Sequence, residues 1–154
     1  MTLSYRLINN RSDLTRLIWD REELAPRHFQ DASAVWHPTF ESFETFWREC
    51  REVVGLLDDD KLLAAVYIEY ITPVQVNVHV SVIEKVKEDD LVRFFKSLIR
   101  QHAIEGVEVI TGWMTTTNRG LRRVAKAAGF YETQLRMIYG QSKGRPIEWI
   151  QMRA

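Results

Sequence analysis

The chain has 154 residues, 45% of them hydrophobic and 11% aromatic, with a formal net charge of zero. That is the size of one domain, with enough apolar side chains to bury its own core without a disulfide or a metal. The balanced charge gives no overall pull toward nucleic acid or an anionic membrane, and the single cysteine, Cys50, rules out an intrachain disulfide and a Cys-rich zinc centre.

The opening residues MTLSYRLINN lack a basic stretch followed by an apolar run, and no apolar stretch approaches the length of a membrane span. The expected location is the cytoplasm, or an assembly built there. No repeat, low-complexity tract or Gly/Ser/Pro linker interrupts the chain, so a single domain over residues 1–154 is expected.

Tyr5 to Ile8 reads as a short first strand. Ser12 or Asp13 is placed to cap a helix in which Leu14, Leu17 and Ile18 recur at helical spacing. Ala25 to Pro38 reads as an irregular connection, and Phe43, Phe46, Trp47 and Cys50 then line one face of a second helix. Val53 to Leu57 is a short apolar strand, Asp58-Asp59-Asp60 a turn, and Leu62 to Ile71 a long strand that Pro73 ends. In the next strand Val74, Val76, Val78, Val80 and Val82 alternate with Gln75, Asn77, His79 and Ser81, which predicts one buried face.

Asp89 or Asp90 is placed to open a long helix whose buried stripe runs through Leu91, Phe94, Phe95, Leu98, Ile99 and His102 or Ala103. Gly106 is placed to end it. Val107 to Trp113 is the next strand. Asn118 caps a short helix that Gly129 closes, and Phe130 to Tyr139 and Ile147 to Met152 read as two final strands. The long helix between the strands at Gln75–Val82 and Val107–Trp113 makes them parallel neighbours.

This order, together with the segment NRGLRRVAKAAGF from Asn118 to Phe130, resembles the GNAT acyltransferases. The resemblance covers about Val53 to Tyr139. It implies an α/β fold: one GNAT-like domain with a central, mostly antiparallel sheet and helices on both faces. It also implies transfer of an acetyl group from acetyl-CoA to an amine. Asn118 is the family ligand that carries over, as a hydrogen-bonding partner for the pantetheine arm, and it serves equally as a helix cap.

Two departures stand where that chemistry needs support. The family holds the CoA pyrophosphate with a Gly-rich loop before the long helix, because backbone N–H groups must turn toward the phosphates unobstructed. Here Ile83 to Asp90 contains no glycine and carries Glu84, Glu88, Asp89 and Asp90. Each like charge at contact distance opposes a phosphate by about 1 kcal/mol even in a water-like dielectric. Carboxylates at a helix start are otherwise explained by the helix dipole. The tyrosine with which the family protonates the leaving thiolate falls on Ala125, which has no proton to give.

The weak candidates for a catalytic base are Glu69 and His79, both on central strands. Glu69 and Tyr70 must face opposite sides of theirs. No metal site is expected: His28 and His37 lack carboxylates or thiols at ligand spacing, and His102 reads as structural. Arg119, Arg122, Arg123 and Lys126 recur at helical spacing as one basic stripe: a solvated face, a contact for the CoA 3′-phosphate, or a contact for an acidic protein or nucleic-acid surface. Trp36 and Phe40, within the aromatic segment Phe29 to Trp47, are the other candidate contact, with packing onto the sheet as the default. The chain is loosely similar to small GNAT-like proteins of tailed phages, which implies a virion-assembly role with protein partners; the balanced charge and the lack of an apolar span point away from nucleic acid and membrane, and the loop Ile83 to Asp90 points away from a cofactor. The alternative is an active N-acetyltransferase using acetyl-CoA.

Overall fold

Apolar alternation in the middle of the chain builds strands, and the helical stripes on either side supply what covers them. The computed structural model describes residues 2–20, 40–115, 119–136 and 146–152. Along these residues run β1 (Leu3–Leu7), α1 (Arg11–Asp20), α2 (Phe40–Glu49), β2 (Glu52–Asp58), β3 (Lys61–Thr72), β4 (Gln75–Val82) and α3 (Glu88–Ile104). They continue as β5 (Val109–Thr115), α4 (Arg119–Ala128), β6 (Tyr131–Arg136) and β7 (Pro146–Met152). The strands form one seven-stranded sheet in the order β1-β2-β3-β4-β5-β7-β6. Every neighbouring pair is antiparallel except β4 and β5, which are parallel. The architecture is therefore mixed α/β, as the element order predicts.

Helices lie on both faces. On one face Leu91, Phe94 and Phe95 of α3 and Val124, Ala125 and Ala128 of α4 pack with Leu56, Val66, Ile68, Val76 and Ile110 of the sheet. On the other, Leu14 of α1 and Trp47 of α2, with Cys50, pack against Val53, Ala65, Tyr67 and Ile83. Trp47 stacks on Tyr67 with ring centroids 3.8 Å apart.

The second face corrects the reading of β4. Alternation predicts that its polar residues meet solvent, yet His79 and Ser81 are only 3% and 4% exposed. Their neighbours across the ladder are Tyr67 and Ala65, both within the cluster that α1 and α2 cover. A polar row beneath two helices looks like a solvated face in the sequence, because the helices that cover it come from far earlier in the chain.

The helix starts depart from the predicted caps, and the helix ends follow the predicted terminators. Asn10, not Ser12 or Asp13, caps α1: its Oδ1 accepts the Asp13 N–H at 3.3 Å, and its Nδ2 donates to Asp13 Oδ2 at 2.6 Å. Helix α3 starts at Glu88 rather than Asp89, with Lys87 in extended geometry at the cap and no side chain capping it. Both glycine terminators act as expected. Gly106 and Gly129 take φ of 97° and 105°. The next residue in each case, Val107 or Phe130, donates its N–H back to His102 or Ala125 at 2.9 Å.

Candidate functional site

β4 and β5 pair from Gln75↔Val109 to Val78↔Gly112 and no further. Beyond that point β4 stays bonded to β3 through Val80, Ser81 and Val82, while β5 stays bonded to β7 through Trp113, Met114 and Thr115. Two parallel strands that keep their outer neighbours but lose each other leave a wedge between them. α3 begins just past the end of β4, so its amino end belongs to the same end of the sheet.

Side chains at the wedge come from one polar row. Glu69 lies opposite Asn77, and Asn77 opposite Thr111, so three adjacent strands present them on one face. His79 is the first β4 residue past the last β4–β5 pair. Its Nε2 is 3.2 Å from Asn77 Nδ2 and 3.3 Å from Glu69 Oε2. Thr111 Oγ1 donates to Asn77 Oδ1 at 3.1 Å. The imidazole is buried, whereas the Glu69 side chain keeps 38% of its exposure. The row thus sets a part-exposed carboxylate on a buried imidazole, an arrangement able to receive a proton from a neighbouring group. Glu69 and His79, the two candidate bases, are brought together. Asn77 and Thr111 were missed; the alternation marks Asn77, but only the β4–β5 register adds Thr111.

The start of α3 carries carboxylates where the family holds a CoA pyrophosphate. Glu88, Asp89 and Asp90 fill its first turn. Asp90 Oδ1 is held by Arg93 at 3.1 Å. Glu88 is held from α4 by Arg123, whose Nε donates to its Oε1 at 3.1 Å. That hydrogen bond is the main reason the Glu88 carboxyl sits below its ordinary range. A phosphate there would meet like charge and would have to break the α3–α4 contact. Ala125, at the family's tyrosine position, is buried in the core.

The remaining candidates are dispersed. Asn118 and Trp36 lie outside the described residues. Phe40 is half-buried, edge-on to Trp19 at 5.9 Å and beneath the Arg16 guanidinium at 3.6 Å. Of the basic stripe, Arg122 is tied to Glu132, with Nε 3.0 Å from Oε1, and Arg123 to Glu88. Arg119 and Lys126 are exposed. Among the described residues, no helix is long and apolar enough to cross a membrane.

The parallel β4–β5 pair that opens into a wedge, inside a mostly antiparallel sheet with helices on both faces, is the GNAT acetyltransferase fold. Solved structures bear this out along nearly the whole chain. A ribosomal-protein-alanine N-acetyltransferase from Brucella melitensis superposes with a TM-score of 0.71 at 14% identity, over 97% of this chain and 99% of that one. A ribosomal-protein α-N-acetyltransferase in complex with coenzyme A gives 0.74 at 10% identity, over 99% and 94%. An aminoglycoside acetyltransferase in complex with coenzyme A gives 0.66 at 12% identity, over 99% and 95%. No protein-family model and no curated protein sequence matches the chain.

Proposed function

We propose that this chain is a GNAT-fold binding protein whose cofactor end has been given over to contacts within the molecule, and that it acts by docking a protein partner. The observation that carries this reading is the start of α3. The turn that would cradle pyrophosphate lacks glycine and holds Glu88, Asp89 and Asp90, with Glu88 bonded to Arg123. The loose likeness to phage GNAT-like proteins suggests virion components as the partners and a cytoplasmic assembly as the setting. Because Arg122 and Arg123 already have carboxylate partners, the outward part of the basic stripe is Arg119 and Lys126. Phe40 is partly used within the fold, and Trp36 is the other aromatic candidate.

A second reading, an active N-acetyltransferase, is favoured by one feature: the Glu69, Asn77, His79 and Thr111 row beside the wedge. The names of the structural neighbours agree with it. The two readings separate in one experiment. The protein is assayed for acetylation over a panel of amines, beside pull-down from its native source with wild type and an Arg119→Glu, Lys126→Glu double variant. The binding reading expects no turnover and a partner weakened in the variant, more at low salt than at high. Robust turnover, abolished by Glu69→Gln, would replace it with the second reading.

A further inference from the structure

The opposite end of α3, on the opposite face of the sheet from the polar row, holds a second cluster. His102, in the last turn of α3, is 3% exposed. Its Nδ1 lies 2.8 Å from the Leu98 carbonyl oxygen. A carbonyl only accepts, so Nδ1 carries the proton and Nε2 of the neutral ring presents a lone pair. Nε2 makes no hydrogen bond among the described residues. It lies 3.3 Å from Oε2 of Glu52, at the start of β2, and Glu105, the cap of α3, brings a second carboxylate that also accepts from Gln101 Nε2 at 3.0 Å. The three ligand atoms lie within 4.8 Å of one another.

We propose that Glu52, His102 and Glu105 bind one divalent cation of the zinc class. Three observations support it. The first is donor chemistry: one imidazole nitrogen and two carboxylates are a borderline set that suits zinc and leaves a position for water. The second is spacing. Nε2 and Glu52 Oε2 are 3.3 Å apart without hydrogen-bond alignment, and two ligands about 2.0–2.1 Å from a tetrahedral ion lie about 3.3–3.4 Å apart. The third is the second shell. Nδ1 tied to a backbone carbonyl is the arrangement that fixes the tautomer of a metal-bound histidine, and the His102 carbonyl is itself locked by the Val107 N–H at 2.9 Å.

The helix dipole agrees. Glu105 stands at the negative end of α3, where a carboxylate is disfavoured and a cation is favoured. Glu52 adds a second negative charge. Arg51, whose guanidinium lies 4.5 Å over the Tyr70 ring, is a cation already in this corner. A metal would bolt the end of α3 to β2, on the face of the sheet away from the polar row, so the proposal stands whichever function holds at the wedge.

The test is competition of the full chain with a chromogenic chelator, using zinc ion alone at neutral pH, on wild type and three variants. Wild type should take up one zinc per chain and gain thermal stability from it. Glu105→Gln, an exposed change that leaves folding intact, should weaken uptake about tenfold or more, and His102→Asn should abolish it. A His28→Asn, His37→Asn double variant should bind as wild type does. Circular dichroism checks that each variant is folded, and should His102→Asn fail that check, Glu105→Gln decides. No uptake by wild type at micromolar free zinc, or uptake unchanged in Glu105→Gln, would overturn the proposal and leave the cluster as an ion pair between His102 and Glu52.

Discussion

At the amino end of α3, Glu88, Asp89 and Asp90 crowd the first turn; at the carboxyl end, Glu105 caps the helix beside Glu52 and His102. The same residue types carry opposite meanings. The dipole favours the first group, so the helix alone explains it, and Arg123 and Arg93 complete it. The dipole opposes Glu105, so a positive charge at that end, beyond that of Arg51, is favoured. In a GNAT fold the first group also stands where phosphate would be held. On the two proposals, one helix would disfavour a phosphate at one end and favour a cation at the other.

The largest effect comes from removing what both ends share. Phe94, in the middle of α3, is fully buried. Phe94→Ala should cost about 3–5 kcal/mol, read from urea midpoints, and should loosen both ends together. A loss confined to one end would show that the two are independent units. A smaller and more telling pair is Asp89→Asn against Glu105→Gln in metal-free protein. Removing the charge at the amino end should destabilise by about 0.3–1 kcal/mol, and removing it at the carboxyl end should stabilise by about as much, both fading in high salt. Equal signs would break the comparison.

The smallest effect is the pH dependence of the Glu88–Arg123 contact. Arg123 holds the Glu88 carboxyl below its ordinary value, so the native state keeps it ionised after the unfolded chain has taken up a proton. Its contribution is therefore present above the unfolded pKa and lost as pH falls through the lower folded value. Glu88→Gln should narrow the stability gap between neutral and acidic pH, a small change because the pair is exposed. A gap unchanged from wild type would mean that the contact does not persist in solution.

These features were unevenly legible in the sequence. The order of elements along the chain, the long crossover, the parallel β4–β5 pair and the two glycine terminators follow from local periods and cap chemistry, whereas the insertion of β7 between β5 and β6 does not. Glu69 and His79 were visible as candidates because both sit on central strands. Their joining through Asn77 and Thr111 was not, since it depends on the β4–β5 register. The Glu52, His102 and Glu105 cluster was invisible for a similar reason: it forms only because α3 packs back across the sheet to the start of β2. Arg123 read as part of an outward stripe because no local signal says that Glu88 faces it.

The most direct measurement is calorimetric titration of the wild-type protein with acetyl-CoA at low salt, where weak electrostatic binding is least screened. The account predicts no saturable binding, because the start of α3 meets phosphate with carboxylates already bonded to arginine. A micromolar dissociation constant, with turnover of an amine, would contradict it and put the acetyltransferase reading in its place.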